Sequence, residues 1–320
     1  MFRSALLRSC KPRLVRCLSS RVSNPNLAAM AGDDYLYHIG LNPASDDLAA
    51  TFGDVRFVCL GGSVPRMGEF AARAAHELGV APSAAQPIGK TDRYSLFKVG
   101  PALISSHGMG QPSMSILLHE IAKLLHYAGA RDPVWMRMGT SGGVGVAPGT
   151  VVVSTEGVNG MLESGYELPI LGRRTSRPSL FGAATVGAIV DAAAARPETA
   201  AMVAGGRVVR GKTMSADCFY EGQGRLDGAL CEYGEADKMA FLRRAHDKGV
   251  RNIEMEALQF GAFTHRLGIR AAACCVTLLD RLEGDQVRAT PEQLAEWDAA
   301  SGDVVLSYIK HELGLPPPKC

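Results

Sequence analysis

The chain has 320 residues, 47% of them hydrophobic and 21% charged, a make-up that fits a soluble globular protein with a sizeable core and excludes a mainly disordered chain. The formal net charge is only +2, with much of the excess in the first thirty residues, so the body has no basic field for binding nucleic acid. No run reaches the ~18 consecutive apolar residues that span a bilayer, and the Ala-rich stretch 183–195 is short and carries Asp191.

The opening "MFRSALLRSCKPRLVRCLSSRVSNPNLAAM" holds Arg3, Arg8, Lys11, Arg13, Arg16 and Arg21 with several serines and no acid before Asp33. Residues 1–32 therefore read as a mitochondrial transit peptide or a disordered leader, with Met30 an alternative start, and 33–320 as one catalytic domain. The compartment is the mitochondrial matrix or the cytosol. The eight cysteines (Cys10, Cys17, Cys59, Cys218, Cys231, Cys274, Cys275 and Cys320) form no CxxC pair and no Cys/His ligand set, which points to buried free thiols and no metal site.

From Tyr35 onward short apolar runs alternate with longer amphipathic ones, the pattern of an α/β domain. "VRFVCLGG" reads as a strand and "PRMGEFAARAAHELG" as the helix after it, stopped by Gly79. "YSLFKVG" and "PALISSHGMG" read as two strands joined by a Gly-Pro turn, and "PSMSILLHEIAKLLHYAG" as a helix with its apolar face at Ile116, Leu117, Ile121, Leu124 and Leu125. "PVWMRMGTSGG" is a buried strand entering a Gly-rich loop, "GTVVVSTEG" another strand, and 176–200 a helical, Ala-rich stretch. "GGRVVRGKTMSADCFY" is strand-like, "EADKMAFLRRAHDKG" a helix, "VRNIEMEALQFGAFTHRLG" a strand passing into a helix, and "RAAACCVTLLD" a core strand. The tail predicts two helices, one after Thr290-Pro291 and one after Ser301.

Four polar clusters fall at strand ends, where an α/β sheet binds ligands. In "GGSVPRM", Gly61 and Gly62 permit close backbone approach, a helix start adds partial positive charge and Arg66 a full one, which suits an anion. In "RMGTSGG", Arg137 lies within a buried strand and needs a charged partner, while Thr140 and the following amides suit phosphate; a structural ion pair is the alternative. Arg93 lies at the start of a strand in "TDRYSLFKVG" and by itself reads as a surface charge. In "NIEMEA", Glu254 and Glu256 flank Met255, so an extended backbone turns both carboxylates one way, toward vicinal hydroxyls or a metal; solvated helix-start glutamates are the alternative. Beside these four, in "EGQGRLDG" Gln223 and Arg225 would project from one face of an extended segment toward a planar polar ring; a surface turn is the alternative.

Three arginines for a dianion, two acids for a diol, and an amide with a guanidinium for a ring make an inventory for a nucleoside and inorganic phosphate. From about Tyr35 to Leu313, through "GDVRFVCLGGS", "GKTDRYSLFKVGP", "SHGMGQPS", "RMGTSGG", "DCFYEGQGRLDGAL", "GVRNIEMEA" and "CVTLLDRLEGDQ", the chain resembles the uridine phosphorylases, the animal-like branch of the nucleoside phosphorylase family. The resemblance implies a single α/β domain with a central mixed, partly barrel-like sheet flanked by helices. It also implies a pentosyltransferase that splits uridine with phosphate into uracil and ribose 1-phosphate. No cofactor is implied, phosphate being a co-substrate.

Carried over motif by motif, Gly62, Arg66, Arg137 and Thr140 would hold phosphate, with Arg93 entering from a neighbouring subunit of a homodimer. Phe219, Gln223 and Arg225 would read uracil, and Glu254, Met255 and Glu256 the ribose, with the neighbour's His38 at its 5′-hydroxyl; Arg137, Gln223 and Arg225 would be catalytic. The sequence departs from the pattern at Asp280-Arg281, where the family generally has Asn before Arg, and purine-specific relatives use a nearby Asp to protonate the base. This keeps a purine nucleoside phosphorylase, or a non-catalytic nucleoside-binding relative, as alternatives; an ion pair of Asp280 with Arg281 or another nearby base is the structural explanation. Bacterial members hold potassium through a Glu near the Arg93 position, whereas Tyr94 follows here, so no such ion is expected.

Overall fold

Ten strands and nine α-helices are formed by the residues that the computed structural model describes, 22–30 and 34–317. The leader and Cys10, Cys17 and Cys320 fall outside those residues, apart from one helical turn, α1 (Leu27–Met30). After α2 (Leu48–Phe52), β1 (Phe57–Gly61) and α3 (Val64–Glu77), the chain forms β2 (Leu96–Val99), β3 (Ala102–Ser106), α4 (Gln111–Tyr127), β4 (Val134–Gly143) and β5 (Val151–Val158). It continues with β6 (Tyr166–Ile170), β7 (Arg173–Arg177), α5 (Ala183–Ala195), α6 (Pro197–Ala204), β8 (Val208–Ser215) and α7 (Glu235–Asp247), and ends with β9 (Val250–Glu254), α8 (Ala257–Leu267), β10 (Ala271–Asp280) and α9 (Pro291–Glu312).

The main sheet has the order β10-β5-β8-β9-β4-β1-β3-β2, with β10 also paired to β4. That extra pairing closes β4, β9, β8, β5 and β10 into a five-stranded mixed barrel, from which β1, β3 and β2 extend as an open sheet. The length of β4 makes both possible: Val134–Met138 pair with β1, while Gly142 and Gly143 pass beyond its end and pair with β9. Residues 134–139 are all buried, as expected for a strand covered on both sides. The expected mixed, partly barrel-like sheet is therefore observed.

Two local expectations fail for identifiable reasons. The tail is a single helix through Ser301 and Gly302; a Cβ on Gly302 would sit 3.1 Å from the Phe70 ring, so this glycine permits α9 to pack on α3 and does not end it. The hairpin of β6 and β7 was not expected, and its turn carries Leu171 (φ 48°) and Gly172 (φ 75°), the two positive φ angles of a tight hairpin turn. Leu171 is 98% exposed, and a leucine before Gly172 is not a usual first turn residue, so the glycine alone marks this hairpin. The helical stretch is also shorter and divided: α5 ends at Ala195 and α6 starts at Pro197.

Cys59, Cys274 and Cys275 are buried free thiols as expected, but Cys231 is half-buried and Cys218 is exposed. Backbone N–H groups of Gly222, Tyr220 and Glu221 lower the Cys218 thiol below its usual range.

Candidate active site

A cavity of about 470 Å³ opens where the strand ends converge: Gly62 after β1, Gly108 after β3, residues 139–142 of β4, Glu254 at the end of β9 and Arg281 just after β10. It gathers Gly62, Arg66, Arg137, Thr140, Phe219, Gln223, Arg225, Glu254, Met255 and Glu256, so ten of the sequence candidates share one space. A drug-sized ligand fits a volume of that order.

Arg137 is placed by β4 and the carboxylates by β9. In this antiparallel pair Gly143 faces Asn252 and Gly142 faces Ile253, so each step forward along β9 moves one step back along β4. Glu254 is thereby returned toward Arg137. Arg137 Nη1 lies 2.8 Å from Glu254 Oε2 and 2.9 Å from Cys275 Sγ, while Nη2 donates to Glu256. The guanidinium and both carboxylates are nearly inaccessible. Burial alone would lower the Arg137 pKa, yet Glu254, Cys275 and Glu256 drive it above its ordinary value, so the cation is permanent. Burial pushes Glu254 upward against the pull of Arg137, and holds the Cys275 thiol up at about 12. Glu254 also accepts the amides of Glu256 and Ala257 at the start of α8, so it caps a helix as well as facing the cavity. Gly139 leaves Arg137 its space, because a Cβ would lie 3.3 Å from Nη2 and the guanidinium would have to give by a few tenths of an ångström.

The Gly61-Gly62 pair divides its tasks. A Cβ on Gly61 would overlap Met67 Sδ at 2.1 Å, which is a packing requirement, whereas above Gly62 the nearest atom would be Gly108 O at 3.6 Å. Only Gly62 leaves room for a ligand against the backbone. Arg66, in the first turn of α3, is held loosely by Asp298 of α9 with Nη2 at 3.4 Å from each oxygen.

The "EGQGRLDG" segment is not extended. Residues 221–223 form a single 3₁₀ turn and Gly224 takes φ 65°, so the turn, and not a period of two, carries Gln223 and Arg225 to the same cavity. Arg225 donates to Asp227 at 2.8 and 2.5 Å and stacks 4.8 Å from the centre of the Phe219 ring. The hydrogen bond from Arg225 holds the Asp227 carboxyl down at about 2. Arg281 Nη2 donates to Gln223 O at 2.9 Å, fixing the turn from below.

His38 and Arg93 do not line this cavity. They belong to two segments joined elsewhere on the surface, where Thr91 Oγ1 donates to His38 O at 2.5 Å and Lys90 N to Ile39 O at 3.3 Å.

The ion-pair reading of Asp280 fails, since among the described residues it pairs neither with Arg281 nor with another nearby base. It accepts the amides of Gly145 and Leu282, each at 3.0 Å, while Arg281 Nε donates to Asp285 at 2.8 Å. Its side chain thus closes a turn and is absent from the cavity wall. Asp280→Asn is expected to leave the ratio of kcat/KM for uridine and inosine within about threefold, since an amide oxygen still accepts both bonds; a tenfold shift toward inosine would place the carboxylate at the base.

The family match follows the same boundaries. A model described as the phosphorylase superfamily matches residues 56–310, and mouse uridine phosphorylase 1 is 44% identical over 297 residues, 92% of this chain and 93% of the relative. The chain belongs to the uridine phosphorylase family. A solved structure from a study of two uridine phosphorylases of the oomycete Phytophthora capsici aligns with TM-score 0.85 at 48% identity, covering 93% of this chain and 99% of that one. A Schistosoma mansoni relative named inactive uridine phosphorylase B is 37% identical, with 88% of this chain and 94% of that one covered.

Against this family frame, sequence reasoning missed two residues. Arg281 was seen only as a partner for Asp280, yet it is buried and lines the cavity; it sits in a turn just after β10, where no helical or strand periodicity marks it. His107 is fully buried in "SHGMG", with both ring nitrogens unpaired among the described residues. Burial and then Arg137 push its pKa well down, so the imidazole is neutral.

Proposed function

We propose that the chain catalyses the reversible phosphorolysis of uridine to uracil and ribose 1-phosphate. The observation that carries this reading is the single wall running along β4 past both ends of the cavity. A Cβ on Gly139 would lie 3.3 Å from Arg137, and one on Gly142 3.0 Å from Arg281, which holds Gln223. Three strand residues separate those ends by about 10 Å, a span suited to a nucleoside with phosphate behind its sugar.

In the proposed arrangement Gly62, Arg66, Arg137 and Thr140 hold phosphate. Glu254, Met255 and Glu256 position the ribose, and Phe219, Gln223 and Arg225 take the uracil. A phosphate oxygen bonds to C1′ as the bond from C1′ to N1 breaks, and the electron pair leaves with uracil. The proton of hydrogenphosphate ends on the base. Positive charge develops on the sugar and negative charge on the ring, so fixed donors at the uracil edge lower the barrier. Phosphate is the nucleophile, and the chemistry calls for no redox cofactor or metal.

His38 and Arg93 do not line the cavity of their own chain, and their two segments are joined through Thr91 and Lys90; this supports a homodimer in which each subunit completes its neighbour's site. No helix among the described residues is long and apolar enough to cross a membrane. The leader's composition supports the mitochondrial matrix, with the cytosol as the other compartment.

Ultraviolet absorbance with uridine or inosine, with and without phosphate, tests the reading. Uridine should be consumed only with phosphate present. Preference for inosine would select a purine phosphorylase, turnover without phosphate a hydrolase, and binding without turnover a relative of the inactive schistosome kind.

A further inference from the structure

Glu120 is a buried carboxylate in the middle of α4, and the groups it accepts from all belong to one short segment. Its Oε2 accepts His38 N at 2.9 Å and Ile39 N at 3.0 Å, and its Oε1 lies 2.7 Å from His38 Nδ1 and 3.1 Å from His38 N. Four contacts from one side chain fix both the backbone and the ring of His38. The Tyr37 ring stands edge-on 5.2 Å from the imidazole, with Tyr94 at 6.3 Å, so the ring has little freedom to turn. About a third of the His38 side chain is exposed.

A carboxylate offers lone pairs only, so a 2.7 Å contact with Nδ1 requires the proton to be on Nδ1. In the neutral ring the opposite nitrogen, Nε2, is then bare and can only accept. We infer that Glu120 is a positioning residue that locks His38 in this tautomer, so that Nε2 accepts a hydrogen bond from the 5′-hydroxyl of a nucleoside in the neighbouring subunit's site. This rests on the reading of His38 given above and adds the direction of the bond and the residue that sets it. The consequence is a preference at the 5′ position for a group that donates.

Glu120→Gln reverses that direction without changing volume. Two backbone amides converge on Oε2, so the amide oxygen of Gln takes that side and its NH₂ faces Nδ1, which must then accept. The proton moves to Nε2, and His38 becomes a donor outward. Two measurements on the full-length oligomer read this. In the ¹⁵N spectrum of histidine-labelled protein above the pH of ring titration, with His38→Gln supplying the assignment, Nδ1 should be protonated in the wild type and Nε2 in Glu120→Gln. In parallel, uridine with its 5′-hydroxyl replaced by fluorine, which can only accept, should gain about tenfold in kcat/KM relative to uridine in Glu120→Gln, because an unmatched polar contact is relieved.

A wild-type spectrum with the proton on Nε2 overturns the inference. So does an unchanged fluoro-to-uridine ratio in Glu120→Gln when His38→Phe alters that ratio. If His38→Phe leaves the ratio untouched, the placement of His38 in a neighbouring site is wrong. The role of Glu120 toward the ligand then falls with it, and the spectra report the tautomer alone.

Discussion

Replacing Arg137 with Ala is expected to lower kcat/KM for uridine by on the order of a thousandfold or more, since the proposed phosphate site loses its fixed charge. The same change should cost about 3–5 kcal/mol of stability, because Glu254 and Glu256 remain buried without their cation. The stability loss should depend on pH in a defined sense. With Arg137 absent, Glu254 keeps the upward push of burial and of Glu256 and loses the largest downward pull. A carboxyl whose folded pKa lies above its unfolded value binds more protons in the folded state between the two. Stability therefore falls as pH rises through that window. Denaturant melts of the variant should show a larger deficit against the wild type at pH 8 than at pH 5. Arg137→Lys restores one charge but cannot serve two carboxylates and a thiol with a planar fork. Lys should recover part of the stability and little of the activity. Near-normal turnover in Arg137→Lys would mean that the guanidinium is an internal clamp and nothing more.

This double duty explains which parts of the site were legible in the sequence. Strands such as "RFVCLGG" and "RAAACCVTLLD" are continuous apolar runs ending in polar or glycine residues, so their existence and the ligand-binding character of their ends follow from local pattern. What local pattern does not carry is the sense in which β9 meets β4. "RMGTSGG" and "NIEMEA" therefore read as separate anion and diol clusters. The antiparallel register makes them one ion network, which bears out the structural reading of Arg137 and leaves its face toward the cavity for the proposed phosphate. The 3₁₀ turn at 221–223 was hidden for a different reason. Its geometry depends on Arg281, nearly sixty residues away, donating to Gln223 O, and a period-two projection of "QGR" has no access to that bond. Asp280 could be misread as a base-contacting acid because its partners are backbone amides, which leave no trace in side-chain identity.

Because that turn holds Gln223 by its backbone, its side chain can be altered with the frame intact. Gln223→Leu keeps a similar volume and removes both amide functions at a position only 5% exposed. We expect kcat for uridine to fall by about 10² to 10³, the effect of deleting one preorganised donor to a developing anion. The KM for phosphate should change by no more than about twofold, since the proposed phosphate end lies three residues along β4, ~10 Å away. Arg225→Ala should show the same pattern and in addition free Asp227, whose carboxyl is then expected to rise from about 2 toward its ordinary value. Initial rates with each substrate varied in turn distinguish the two ends of the cavity. A Gln223→Leu enzyme that lost phosphate affinity as heavily as it lost kcat would place this amide at the anion. The division of the cavity into a base end and a phosphate end would then be wrong, because β4 could not separate two groups that bind the same ligand.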